Sequence, residues 1–341
     1  MRALARPGPW KRGPVLAALA VVLGLVMAGH AAITDFGGLG SLVETFLPWF
    51  GLGVPVLLAG ALLRRSATAV VALVVPVTVW LTLFGGLLTD KTGGETGAKT
   101  GASAGSSAAG RLVMVSHNVN ADNPDPAGTA RDLAASGADL LALEELTPEA
   151  TDAYESALAA SYPYHAVRGT VGLWSRLPLS ETRPIEMERD AGPLGDAKPA
   201  EAKLAQNRAL RTTVATERGP LAVYVAHLGS VRALPRTGFW TESRDAGAAA
   251  LSTAVAAERN GRVVVLGDFN GTMDDRAFDG LTARLSSVQE TAGDGFGFTW
   301  PTAFPVARID QILVRGVEPE SSWTLPATES DHLPVAARVR W

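Results

Sequence analysis

The hydrophobic rhythm of the chain changes once, near residue 90. Before that point apolar residues run on without a period. Three runs can be read: Pro14 to Ile33, about Leu39 to Leu63, and Ala67 to Leu88. Each reaches the roughly 20 residues a helix needs to cross a bilayer core. Prolines at 48, 55 and 76 would break soluble helices but are tolerated in membrane spans. From Arg111 onward the apolar stretches shorten to strand length and alternate with helical patterns. "RLVMVSHNVN" reads as a strand that turns polar at Ser116. Thr129 to Ser136 reads as a helix, followed by Gly137 and a strand from Leu140 to Leu143. "VGLWSRLPL" reads as another strand, and "ALRTTVATERGPLAVYVAHLGS" as a hairpin turning at "ERGP". An alanine-rich helix, "RDAGAAALSTAVAAERN", leads through Gly261 into "GRVVVLGDFN". "RIDQILVRG" and "LPVAARVRW" complete the strands. Several strands are apolar throughout or on one face. That pattern predicts an α/β chain in which two mixed sheets pack together, flanked by helices, as a four-layer sandwich.

Between these parts, residues 89–110 are mostly glycine, serine, threonine and alanine, a composition that cannot bury enough apolar surface to order itself. The expected organisation is therefore a membrane region over 1–88 with about three spans, a linker over 89–110 and a soluble domain over 111–341. Charge orients the spans. Arg2, Arg6, Lys11 and Arg12 precede the first, Asp35 and Glu44 follow it, and Arg64 and Arg65 separate the second from the third. The positive-inside rule puts both basic clusters in the cytoplasm. Three spans then predict a plasma-membrane protein with its soluble domain outside the cell; two would reverse that. A cleaved signal peptide is the alternative for the first run. No small-x-small site clearly ends it, however, and two more apolar runs follow.

Composition narrows the chemistry. The chain has no cysteine, which removes disulfides and thiolate metal sites. Residues 111–341 carry 22 lysines and arginines against 30 aspartates and glutamates, a formal charge of −8. Nucleic-acid affinity comes largely from neutralising phosphates, so this acidic domain argues against a nucleic-acid ligand. Nothing in the sequence calls for an obligate protein partner.

Each core strand ends in polar groups: Asn118, then Glu144 and Glu145, then His227, then Asp268 and Asn270. Asp310 opens the "RID" strand, and Asp331 and His332 lie in "SDH". Acids, amides and imidazoles at strand ends gather where loops converge. Such a set suits a hard divalent cation and a phosphate ester. In "GDFN", side chains alternate, so Asp268 and Asn270 project the same way and Phe269 opposes them. Gly267 permits close backbone approach.

"HNVN", "LEEL", "AHL", "GDFN", "TW", "RIDQILV" and "SDH" occur in the order found in the endonuclease/exonuclease/phosphatase superfamily, and residues 111–341 resemble its deoxyribonuclease I-like fold. The resemblance implies roles. Glu145 and Asn118 form the Mg²⁺ site, with Mn²⁺ as an alternative, and Asp331 serves the metal directly or through water. Asp268 orients or deprotonates the attacking water. Asn270 bonds the phosphoryl oxygen. His332 is a phosphate contact and acid, oriented by Asp310. His227 matches the other histidine of the phosphodiesterase members. Arg208 contacts phosphate, with Arg211 nearly as good a candidate. Glu144 departs from the usual glutamine, and so either binds a second cation or faces solvent. His117 replaces an aromatic and is expected to be structural, on the opposite side of its strand from Asn118. The layout also resembles the actinobacterial VanJ-like membrane proteins, linked to teicoplanin-type glycopeptide resistance. That implies a lipid-linked phosphate substrate, undecaprenyl pyrophosphate.

The plain alternatives are local. Asp-x-Asn is common in turns, and Glu144-Glu145 can precede a helix capped by Thr147. His227 can be a satisfied core histidine. His30 and His165 match no motif and are expected to be structural, Trp300 to serve packing, and Asp274 and Asp275 to be solvated.

Overall fold

The computed structural model describes residues 8, 13–89, 91, 110–187, 207–234 and 238–341, and the chain divides into two units, Met1–Thr89 and Asp90–Trp341. Apart from Thr89, Lys91 and Gly110, the expected linker lies outside the described residues.

In the first unit, the run expected to be helical from Pro14 to Ile33 forms a helix only over Pro14–Ala28. Gly29 closes it, donating its N–H to Leu25 O. At 1.5 Å per residue, 15 residues cover about 22 Å, short of a hydrocarbon core of about 30 Å. The second run is bent by 70° between Phe36–Thr45 and Leu47–Leu63, at the break before Pro48. Among the described residues, only Ala67–Leu88, 22 residues with mean hydropathy 2.2, is long and apolar enough alone to cross a membrane. Counting the bent pair as one span makes two. The helices approach closely where side chains are small: a Cβ on Gly24 would lie 2.7 Å from Val75 Cγ1. Trp80 Nε1 donates to Pro48 O (2.9 Å), and His30 pairs with the buried Glu44 (3.4 Å).

The second unit is a four-layer sandwich. Its first sheet contains β1 (Arg111–Asn118), β2 (Leu140–Glu144), β3 (Tyr164–Arg168), β4 (Val171–Ser175), β13 (Glu318–Thr324) and β14 (Val335–Arg340), in the order β13-β14-β1-β2-β4-β3. The second contains β5 (Leu179–Pro184), β6 (Ala209–Thr216), β7 (Gly219–His227), β10 (Val263–Asp268), β11 (Ser286–Ser287) and β12 (Asp310–Arg315), in the order β11-β12-β10-β7-β6-β5. A small hairpin pairs β8 (Arg232–Leu234) with β9 (Gly238–Trp240). Both large sheets have one parallel pair at the centre, β1 with β2 and β7 with β10, flanked by antiparallel strands.

Strand alternation builds the layers. In β1, Leu112 and Met114 face the other sheet, with Leu140, Val225, Val264, Leu266 and Ile312 in the same core. Val113 and Val115 face the helices Pro126–Ala135 and Pro148–Leu158, which supply Ala130, Leu133, Tyr154 and Leu158. In β10, Val263, Val265 and Phe269 pack under the helix Glu242–Ala256. Even-numbered residues of β1 and β10 therefore point between the sheets, which aims both Asn118 and Asp268 into one gap.

One expectation changes. "VGLWSRLPL" is not one strand: β4 ends at Ser175 and β5 begins at Leu179, in the other sheet. Ser175 Oγ accepts from Leu177 N (2.9 Å) and donates to Leu177 O, turning the chain between layers. The local alternative for "LTPEA" holds: it begins a helix, Pro148–Leu158, with Thr147 Oγ1 accepting from Ala150 N (3.2 Å) as its cap.

Candidate active site

The carboxyl ends of the central strands meet at one end of the sandwich. Register places Asp268 beside His227 on one side and Asp310 on the other, and Asn118 beside Glu144. Gly267 has φ 147°, and a Cβ there would lie 1.8 Å from Ala226 O, so only glycine lets β10 run this close to β7. Immediately after the strands, Glu145 (φ 62°) and Asn270 (φ 49°) take left-handed conformations. Such conformations cost roughly 1–3 kcal/mol and persist where surrounding contacts hold them. Glu145 is held by its side chain: Oε1 accepts from Asn118 Nδ2 (3.1 Å) and Oε2 from Ala121 N (3.0 Å).

The Asn118 amide joins the two sheets. Its Nδ2 also donates to Asp268 Oδ2 (2.9 Å), and its Oδ1 accepts from Asn120 N (3.0 Å). Asp268 further accepts from Asn270 N (2.8 Å) and Asn270 Nδ2 (3.2 Å). Asn270 Nδ2 also donates to Leu228 O (3.1 Å), so reaching a phosphoryl oxygen requires this donor to be shared or released.

His332 donates from Nδ1 to Asp310 (2.9 and 3.1 Å), with Nε2 3.9 Å from Asp268 Oδ2. Burial disfavours the imidazolium, but the Asp310 and Asp268 carboxylates outweigh it and push its pKa up to about 10. Asp310 is buried too, yet His332, by charge and hydrogen bond, holds its carboxyl below the usual range. Burial acts the other way on Asp268, raising it to about 7 against the partial opposition of His332. His227 is buried, and burial followed by the positive Arg208 keeps it neutral, well below its ordinary pKa. Its Nε2 lies 3.5 Å from Glu145 Oε1 and 3.8 Å from Asp268 Oδ2, and neither ring nitrogen has a hydrogen-bond partner among the described residues. The end of the sandwich therefore holds a carboxylate poised near neutrality, a protonated imidazole and a neutral one.

Two donor sets fit a divalent cation to different degrees. Asp268, Asp310 and His332 present ligand atoms within 4.8 Å of one another. Both oxygens of Asp310 are engaged by His332, however, and a protonated imidazole has no lone pair to give. The part-exposed Glu145 carboxylate with the buried Asn118 amide is an oxygen set whose hydrogen bonds come from neutral N–H groups, and it matches a hard cation better. Asp331 is exposed and accepts from Trp300 Nε1 (3.3 Å). No hydrogen bond or ion pair joins it to Glu145 or Asn118 among the described residues.

Other expectations change or sharpen. Glu144 faces no solvent: it is fully buried between the sheets, with Oε1 accepting from Ser116 Oγ (2.9 Å) and Oε2 unpartnered. Burial, then the charge of Asp310, pushes its carboxyl well above the normal range, which favours the protonated form. Arg211 belongs elsewhere, bound to Glu258 (2.9 Å) and Glu181 (3.1 Å). Arg208 stays beside the site, its carbonyl accepting from His227 N (2.9 Å). His117 bonds Thr328 through Nε2 (2.8 Å), and burial lowers it to about 3. His165 stacks on Trp174. Asp275 is not solvated: it is buried and bidentate with the buried Arg244 (2.8 and 3.3 Å). Two supporting hydroxyls were not foreseen. Ser330 Oγ donates to Asn118 O (2.6 Å) and accepts from His332 N (3.1 Å), and Thr299 Oγ1 accepts from Ile309 N (3.2 Å) and Asp310 N (3.4 Å). Both belong to the motifs "SDH" and "TW", which was the only available signal.

Comparison with known proteins bears on the family and the fold. The profile described as the Endonuclease/Exonuclease/phosphatase family matches residues 115–332. No curated protein matches the chain in sequence. Among solved structures, beta toxin from Staphylococcus aureus superposes with TM-score 0.53 at 16% identity, over 66% of this chain and 99% of that one. A humanized D. rerio TDP2 gives 0.52 at 20%, over 68% and 100%, and an endonuclease/exonuclease/phosphatase from Bacteroides vulgatus 0.52 at 16%, over 67% and 98%. At such identities these likenesses speak to the fold.

Proposed function

The chain belongs to the endonuclease/exonuclease/phosphatase family, whose members hydrolyse phosphoric esters with divalent metal ions, and from that premise we propose that it acts at the plasma membrane on a lipid-linked pyrophosphate such as undecaprenyl pyrophosphate. The observation that carries the reading is the pairing of an acidic hydrolase domain with an apolar N-terminal unit containing Ala67–Leu88. A hydrolase tied to a bilayer meets a lipid headgroup at high effective concentration. The VanJ-like layout, with the domain outside the cell, belongs to the same proposal, as do the linker over 89–110 and the division at residue 111.

In this reading Asp268 accepts the proton of the attacking water. Asn270 and the neutral His227 contact phosphoryl oxygens, and Arg208 adds positive charge behind them. His332, protonated and held by Asp310, stabilises charge on the leaving group and returns a proton. Glu145 and Asn118 would hold the cation, Mg²⁺ or Mn²⁺, which would neutralise phosphate charge when bound, with Asp331 serving it directly or through water. A second reading, an extracytoplasmic phosphodiesterase of nuclease or sphingomyelinase type, is favoured by His227 alone. A hydrolysis panel on the full chain in detergent tests both, each arm with and without EDTA: inorganic phosphate released from lipid pyrophosphate and nucleotide, acid-soluble nucleotides from DNA, and phosphocholine from sphingomyelin. The first reading expects EDTA-sensitive release from the lipid pyrophosphate above all others. Turnover of DNA or sphingomyelin with the lipid untouched would reverse the order.

A further inference from the structure

Outside the apolar N-terminal unit, three large hydrophobic side chains stand exposed among the described residues: Tyr164, Trp300 and Phe304. Two of the three share one loop. Residues 295–307, "GFGFTWPTAFPVA", contain four aromatic and no charged side chains. The loop is firmly held. Trp300 pairs with Ala307 through backbone hydrogen bonds, and Phe304 N donates to Pro301 O (3.0 Å). Thr302 N donates to Asp331 O (2.8 Å), Thr302 Oγ1 to Ser330 O (3.0 Å) and Trp300 Nε1 to Asp331 Oδ2 (3.3 Å). The tip is thus fixed against the two residues preceding His332. Phe304, 70% exposed, gains nothing from the fold by being there.

We propose that the Trp300–Phe304 tip docks on a lipid surface and so brings the active-site end of the domain to the bilayer interface. A tryptophan whose N–H is already bonded while its ring stays partly exposed suits an interface. The uncharged tip gives an acidic partner or nucleic acid no ion pair, whereas lipid receives its rings directly. Chain length allows the arrangement. The chain enters the domain at Arg111, the end of β1 away from Asn118, a distance of about 23 Å along the strand. The 22 residues of 89–110 reach up to about 75 Å. The proposal rests on the membrane half of the reading above, not on its substrate.

The test uses the full chain in lipid nanodiscs. The absence of native cysteine makes single-site labelling direct. Phe304→Cys and, as a control in the exposed turn at the far end of β7, Glu217→Cys each carry an environment-sensitive NBD fluorophore. Docking predicts that headgroup spin-labelled lipid quenches the label at 304 at least about threefold more than that at 217, with a blue-shifted emission. Equal quenching overturns the proposal, including the case in which the loop serves a protein partner. As a second readout, Phe304→Ser lowers kcat/KM on bilayer-embedded lipid pyrophosphate about tenfold through KM, the size expected for losing one partly buried ring. Hydrolysis of soluble bis(p-nitrophenyl) phosphate stays within about twofold. A parallel loss on both substrates also overturns it. Quenching at 304 without any lipid-pyrophosphate hydrolysis by the unsubstituted chain upholds docking and rejects only the substrate; hydrolysis without quenching does the reverse.

Discussion

The two large sheets share a plan and differ in what they deliver. Each centres on a parallel pair with antiparallel neighbours, and each ends that pair at the same gap. The first sheet ends in Asn118 and Glu145, a buried amide and a part-exposed carboxylate whose oxygens suit a hard cation. The second ends in His227, Asp268 and Asp310, buried groups whose proton affinities are pushed apart by burial and by one another. The loop entering β14 returns His332 from the first sheet to Asp310 of the second. In the proposed reading this difference separates cation binding from proton transfer, with the two sets joined by the Asn118 amide, which touches both carboxylates, and by His227 Nε2, 3.5 Å from Glu145 Oε1.

The largest effect should come from the second sheet. Asp268→Asn keeps the planar shape, removes the proposed base and turns one acceptor oxygen into a donor facing Asn118 Nδ2 or Asn270 N, and kcat should fall about 10³-fold with far-UV circular dichroism unchanged. A fall no larger than that of Asn118→Ala would erase the distinction between the sheets.

Next comes the pH profile of kcat/KM at saturating metal. Asp268 must be ionised and His332 protonated, so activity should rise through about pH 7 and fall through about pH 10. Asp310→Asn removes the charge that lifts His332. The alkaline limb should then move down toward the ordinary imidazole range, with about 10²-fold lower kcat at pH 8. An unmoved limb would assign it to another group.

The smallest effect concerns the residue that looks most out of place. Burial raises the Glu144 carboxyl and favours its protonated form, so Glu144→Gln should leave thermal midpoint and kcat nearly unchanged, within about twofold for the rate. A large loss would mean that Glu144 works as a charge, and the first sheet would then share in proton transfer.

Much of this was legible in the sequence, for a physical reason. In β1 and β10 the alternation of small apolar residues fixes which face each side chain takes, so Asn118 and Asp268 could be aimed before any coordinates. Their convergence depends on sheet packing, a consequence of burying apolar faces. What escaped was set by turns and by distant partners. The break at Leu177 that sends β4 and β5 to different sheets is one bend held by Ser175. Asp275 carries every local sign of a loop acid, yet its partner Arg244 lies 31 residues earlier in the chain. Glu144 beside Glu145 gave no hint that one would be sealed between sheets while its neighbour stayed accessible, because a left-handed residue follows the strand. In the N-terminal unit hydropathy gave composition but not length: Gly29 and the bend before Pro48 cut the runs shorter than their apolarity suggested.

The separation of cation binding from proton transfer is tested most directly by calorimetric titration of Mg²⁺ and Mn²⁺ into the full chain carrying Glu145→Gln or Asp268→Asn. The account predicts that Glu145→Gln weakens binding at least about tenfold. Asp268→Asn should leave affinity within about twofold while abolishing turnover. Loss of the cation in Asp268→Asn with retention in Glu145→Gln would place the metal among Asp268, Asp310 and His332 and contradict the assignment.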